Sequence, residues 1–155
     1  IDVRRVRIDK SVNIIPERAF EFRRSLIYIE FHEGIETIGK WAFHCCRSLR
    51  SVKLMGVGII GYGAFTHCVE LTDLEFGYKL ETIRQYAFSH CCSLRSIVMP
   101  SVTIIEMYAF NDCVQMTDLD LSERLETIGQ RAFHNCNRLR RITLPLRDNI
   151  IEGYV

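Results

Sequence analysis

The chain is short of most of what would mark it as an enzyme, a membrane protein or a nucleic-acid binder. No apolar run approaches the roughly 18 to 20 residues that cross a bilayer, and the opening residues Ile1-Asp2-Val3-Arg4-Arg5 lack the shape of a signal peptide. Membrane insertion is therefore not expected. Twenty basic against nineteen acidic residues leave a net charge of +1, so no global field draws the protein to nucleic acid or to an anionic membrane. No Cys-x-x-Cys or His-Glu-x-x-His occurs, which removes the strong metal motifs. There is no Gly-rich phosphate loop and no convergence of nucleophile, base and orienting group, so neither catalysis nor a cofactor is expected. With 48% hydrophobic and 25% charged residues in 155, the chain is a single folded domain rather than a disordered one.

What it does have is a repeat, and the repeat decides the fold. Ala-Phe recurs as Ala19-Phe20, Ala42-Phe43, Ala64-Phe65, Ala87-Phe88, Ala109-Phe110 and Ala132-Phe133, at spacings of 23, 22, 23, 22 and 23 residues. Three residues after the Phe stand Cys46, Cys68, Cys91, Cys113 and Cys136, with Arg23 the one departure. Six, nine and eleven after it come apolar triplets such as Leu49/Val52/Leu54 and Leu94/Ile97/Met99, each read as a short strand. Five before it an isoleucine always falls (Ile15, Ile38, Ile60, Ile83, Ile105, Ile128), and eight before it Val12, Ile35, Val57, Leu80, Val102 and Leu125.

A unit of this size cannot bury its own apolar face, so the copies must stack and share a core. The expected fold is an α/β repeat solenoid: a right-handed coil with one parallel β-sheet along one face and short helical or 3₁₀ turns, at the Ile, Ala-Phe and Cys positions, on the other. The alternation of 23 and 22 comes from the link after the strand, four steps from Phe31 to Ile35 and three from Leu54 to Val57. The array reads as a partial repeat over residues 1–11, six repeats over about 12–144 and a partial repeat over 145–155, whose Ile150 to Val155 matches Ile104 to Ala109. It is expected to be a fragment of a longer chain.

The pattern Ile-Gly-x-x-Ala-Phe-x-x-Cys-x-x-Leu-x-x-Ile-x-Leu, literal at Ile128-Gly129 through Leu144, resembles the BspA-like class of leucine-rich repeats. That resemblance implies a curved solenoid used for protein binding or adhesion, with surface-exposed bacterial members and protist or algal arrays both in the class. The expected function is a non-catalytic protein-protein interaction module that binds its partner through the exposed face of the sheet. An adhesin segment binding host protein or glycan, and a structural spacer, are the alternatives.

Alternate strand residues should line that face. The row ten after each Phe runs Arg7, Glu30, Lys53, Glu75, Val98, Asp120, Thr143, alternating in sign over its first four members. Cross-strand ion pairs that only hold register would explain it. The row eight after runs Arg5, Tyr28, Ser51, Asp73, Ser96, Asp118, Arg141. Asp73, Glu75, Asp118 and Asp120 together form an acidic patch for a basic segment of a partner, with Tyr28, Glu30, Lys53 and Arg141 around it. Aromatic anchors are scarce there apart from Tyr28. Arg50, Arg95 and Arg140, on every second rung at position seven, suit either an acidic glycan or plain solvation.

The five cysteines at one inward position read as small core side chains, and as reduced thiols they favour an intracellular setting over the cell surface. Cys45 and Cys92, off that row, are expected to be more exposed. The row two after the Phe (Phe22, Cys45, His67, His90, Asp112, Asn135) would align Cys45, His67, His90 and Asp112. A line is poor geometry for a tetrahedral metal, so no metal centre is expected. His32, His44 and His134 are read as surface residues, and Trp41 as packing on the convex side.

Overall fold

The computed structural model describes residues 2–145; the expected partial repeat from 145 onward lies almost wholly outside them. Two strands per rung run through the chain. The first set is β1 (Arg5–Arg7), β3 (Tyr28–Glu30), β5 (Ser51–Leu54), β7 (Asp73–Phe76), β9 (Ser96–Met99), β11 (Asp118–Leu121) and β13 (Arg141–Thr143). The second is β2 (Ile14–Ile15), β4 (Thr37–Ile38), β6 (Ile59–Ile60), β8 (Thr82–Ile83), β10 (Ile104–Ile105) and β12 (Thr127–Ile128). The short set forms one unbroken parallel six-stranded ladder, in which Ile15, Ile38, Ile60, Ile83, Ile105 and Ile128 are buried.

The expected helical or 3₁₀ turns are not there: no helix occurs among the described residues, and the fold is a parallel β-solenoid. Each turn is instead a series of i→i+3 bonds, as in Ala42 N–H to Gly39 O, His44 N–H to Trp41 O and Cys46 N–H to Phe43 O. Two left-handed residues per rung, at two before and two after the Phe, keep that series from becoming a helix. They are Arg18, Trp41, Gly63, Tyr86, Tyr108 and Arg131, then Phe22, Cys45, His67, His90, Asp112 and Asn135, all with φ between 53° and 62°. A positive φ at the third residue of a turn ordinarily asks for glycine, and each bulky residue held there costs about 1–3 kcal/mol.

Inter-rung hydrogen bonds offset that cost. The left-handed residue's N–H donates to the next rung's carbonyl, as in Cys45 to Thr66 at 2.9 Å and His90 to Asn111 at 2.8 Å. Between these rows, every Phe N–H from Phe20 to Phe110 donates to the alanine carbonyl of the next rung at 2.7 Å. The six Phe rings stack beneath, centroids 5.0 to 5.3 Å apart and within 8° of parallel. This column, flanked by the isoleucines and the strand leucines, is the core.

The cysteine row has a specific task in it. Each thiol donates to the Phe carbonyl of the rung before: Cys46 to Phe20, Cys68 to Phe43, Cys91 to Phe65, Cys113 to Phe88 and Cys136 to Phe110, at 3.1 to 3.3 Å. Each of these carbonyls also accepts the backbone N–H three residues on, as Phe43 O does from Cys46, so the thiol is a second donor, and a small side chain with one weak S–H fits the buried lone pair that remains. All seven cysteines are free. Burial pushes the Cys46 thiol up to about 12 and raises Cys68, Cys91 and Cys113 strongly, so these sulfurs stay protonated and unreactive. Cys45, expected to be exposed, is 6% exposed, with its sulfur 3.5 Å from the His44 imidazole; Cys92 is half-buried.

The long sheet is not continuous. It runs β1-β3-β5-β7, stops, and resumes as β9-β11-β13. At the other rungs the start of the strand reaches the preceding rung, as Asp73 N–H does to Arg50 O, Asp118 N–H to Arg95 O and, at β5, Arg50 N–H to Ile27 O; neither Arg95 nor Ser96 makes such a bond. At the far end of the strand Gly77 N–H donates to Leu54 O, while its counterpart is Pro100, which has no N–H to give. The single sheet spanning all rungs is thus corrected to two blocks.

If the thiols act as donors and not only as filler, Cys91→Ala should lower the unfolding free energy by about 1–2 kcal/mol, through a small cavity and the loss of the second donor to the Phe65 carbonyl. Cys91→Ser should lose less than Ala, measured by denaturant unfolding. Greater loss with Ser would mean that the sulfur matters only as apolar bulk.

Candidate functional site

Strand alternation brings the expected sheet-face residues to one surface. β5, β7, β9 and β11 each place their first and third residues outward and their second and fourth in the core. Asp73, Glu75 and Asp120 are exposed, with Asp118 half-buried, and Tyr28, Glu30, Lys53 and Arg141 are exposed as well.

Register then decides which charges cancel. Arg7 lies opposite Glu30, Lys53 opposite Glu75, and Asp118 opposite Arg141. The corresponding ion pairs are 3.1, 3.1 and 3.0 Å long. The four-member alternating row therefore resolves into two separate dyads. Exposed pairs of this kind contribute only about 0.2–1 kcal/mol each, but they use up the charge of Glu30, Glu75 and Asp118. Asp73 and Asp120 have no ion-pair partner among the described residues. Asp73 is held by the Thr72 hydroxyl at 3.0 Å.

The four acids are not contiguous. Asp73 and Glu75 stand on β7, Asp118 and Asp120 on β11, and β9 passes between with uncharged Ser96 and Val98, the latter 54% exposed. The break in the sheet falls between β7 and β9, where Thr72, Asp73, Leu74, Glu75, Arg95 and Ser96 line an open groove of about 510 Å³. Leu74 and Phe76 beside it are each 7% exposed, where most of the core is sealed. Arg50, of the alternate-rung arginines, is drawn aside to Glu70 at 3.2 Å.

On the opposite, turn side the structure assembles what linear reading missed. Trp41, Tyr62, Tyr86 and Tyr108 form a half-buried aromatic column, with centroids 5.2 to 5.7 Å apart. Gly63 makes the shift from one row to the next possible: a Cβ there would lie 2.5 Å from Trp41 Cδ1. Parallel to it, His44 packs on Phe22, and His67 stacks on His90 at 4.4 Å. His90 Nδ1 is 3.5 Å from Asp112, which Asn135 and Asn111 also hold. The expected line of Cys45, His67, His90 and Asp112 is broken, since Cys45 meets the imidazole of His44. The signal was partly available: Trp41, Tyr86 and Tyr108 share the position two before the Phe, while Tyr62 stands one residue earlier, beside Gly63, and joins them only in the folded stack.

The sequence profile of the BspA type leucine rich repeat region, in 6 copies, matches residues 2–113 and 58–155. No curated protein matches the chain. Among solved structures, a leucine-rich repeat protein from Eubacterium ventriosum superposes with a TM-score of 0.84 at 28% identity, over 92% of this chain and 39% of that one. The T. pallidum leucine rich repeat protein gives 0.80 at 30% identity, over 88% of this chain and 64% of that one. This chain thus spans less than two thirds of either. A leucine rich cell surface protein from Faecalibacterium prausnitzii, at 20% identity and a TM-score of 0.51 over 89% of this chain and 59% of that one, shares the fold.

The histidine column carries a pH dependence. Burial, then the neighbouring His90, His44 and Arg47, lower the pKa of His67 from 6.5. The unfolded chain thus binds the proton more readily than the folded one, so stability from this site is present above pH 6.5 and is lost as pH falls below it. The melting temperature should drop between pH 7 and pH 5, and His67→Asn should make that drop shallower. An identical slope in the variant would locate the titration elsewhere.

Proposed function

The chain belongs to the BspA-type leucine-rich repeat family, whose members are typically protein-interaction or surface-associated proteins, and we propose that it is a non-catalytic module that binds a basic segment of a protein partner across its sheet face. The observation that carries this reading is the coincidence, on one outward surface, of the two uncompensated acids with the open groove between β7 and β9. An extended basic segment laid across β7, β9 and β11 would meet Asp73 first, Val98 as an apolar contact, and Asp120 last. Unpaired backbone groups of the interrupted ladder, Ser96 N–H among them, would be available to it. Glu75 and Asp118 contribute less, because Lys53 and Arg141 already neutralise them.

Chemistry argues the same way. The face offers rows of like residues rather than a concave site where a nucleophile, a base and an oxyanion donor converge.

Partner capture by wild type and by single variants tests the reading. Asp73→Lys and Asp120→Lys should each weaken binding by about tenfold or more, while Glu75→Lys and Asp118→Lys cost less, and wild-type affinity should fall as salt rises. Equal retention by all four variants, or affinity indifferent to salt, would remove the sheet face from consideration.

A further inference from the structure

We propose that the turn face carries a second site, a groove for a neutral oligosaccharide, between the aromatic column and the histidine column. The groove has a volume of about 240 Å³ and is walled by Trp41, Tyr62 and Tyr86 on one side and by His67 and His90 on the other. Thr66, Ser89 and Asn111 complete its lining. Aromatic walls with a few fixed polar groups are the common make-up of a small-molecule site, and here the two alternate along an axis instead of closing into a pocket.

Three features specify the ligand. First, no lining side chain is a carboxylate, ammonium or guanidinium, so nothing in the groove selects for an ion. Second, the ring faces that a cation would seek are already taken. Arg18 and Lys40 bracket Trp41 at 4.5 and 4.4 Å, and Arg131 lies 6.0 Å from Tyr108 while donating to its hydroxyl at 2.8 Å. Lys40 also reaches Tyr62 at 5.7 Å, so the chain's own cations lie against Trp41, Tyr62 and Tyr108, and among the described residues Tyr86 is the ring of the column with none against it. Third, the middle is rich in neutral hydrogen-bonding capacity. Among the described residues, the Trp41 indole N–H, the Tyr62 and Tyr86 phenols and the His67 ring have no partner, and the depressed basicity of His67 keeps that ring uncharged near neutral pH.

Tyr62 adds the geometry. Its ring stands at 78° to Trp41 and 72° to Tyr86, so the stack is interrupted there rather than sealed face to face, as it is between Tyr86 and Tyr108 at 5°. A pyranose has apolar C–H faces and a rim of hydroxyls, and it needs both an aromatic surface and uncharged donors and acceptors beside it. Because the rings follow one another at 5.2 to 5.7 Å, rung by rung, the groove is elongated along the solenoid axis, which suits a linear chain of sugars better than a single compact molecule.

Trp41 is the only tryptophan in the chain, so its emission reports on this groove alone. The full chain is titrated with hexasaccharides of β-linked glucose, α-linked glucose and β-linked N-acetylglucosamine, and in parallel with an uncharged and a lysine-rich extended peptide. At least one hexasaccharide should produce a saturable change in Trp41 emission at millimolar concentration. Tyr86→Ala should weaken it by about tenfold. Tyr86→Phe, which keeps the stack with Tyr108, should weaken it several-fold and serves if the alanine variant does not fold. Asp73→Lys, on the other face, should leave it unchanged. No response to any of the three sugars, a response equal in both Tyr86 variants and wild type, or a response to peptides alone would overturn the proposal.

Discussion

Everything in this molecule hangs on one backbone constraint: the N–H groups of each turn must find carbonyls on the next rung, at the distance where the phenylalanine rings also touch. Bonds of 2.7 Å from Phe to Ala and ring spacings of 5.0 to 5.3 Å satisfy both at once. The price is twelve left-handed residues, eleven of them not glycine. Those residues persist because neighbouring rungs over-determine them. Cysteine enters the same scheme as a second donor to the Phe carbonyl of the rung before, beside the N–H of that carbonyl's own turn.

This explains what could and could not be read from the linear chain. The stacked core was legible because burial forces residue types to recur: Ile15 and its counterparts, the Ala-Phe pairs and the strand triplets all fall on their expected positions. The turns were misread because apolar spacings of three to five residues are common to a 3₁₀ segment and to a string of bonded turns. The usual marker of the latter, glycine at positive φ, occurs among the described residues only at Gly63. The sheet break was illegible for another reason. Pro100 signals one lost bond, but a prolyl residue after a strand is ordinary, and its effect depends on Gly77 holding the same place one rung earlier.

On the surface, residue type was readable while pairing was not. The acids at 73, 75, 118 and 120 stand where alternation put them. Which of them keep a net charge depends on side-to-side register and on the discontinuity at β9, and both are properties of neighbouring rungs rather than of any one strand. The aromatic scarcity noted for the sheet face is real, and the missing rings are on the turn side. Rows of like residues thus give the solenoid two chemically different faces, one charged and interrupted, one neutral and aromatic.

Turn-side ladders hold the array together while the long sheet is open at its centre, and amide hydrogen exchange resolved by residue tests that directly. The amides of Phe43, Phe65, Phe88 and Phe110 should exchange only through global unfolding, whereas the Ser96 amide should exchange orders of magnitude faster than those of Asp73 and Asp118. Protection at Ser96 equal to its neighbours, with early exchange along the Phe row, would contradict it.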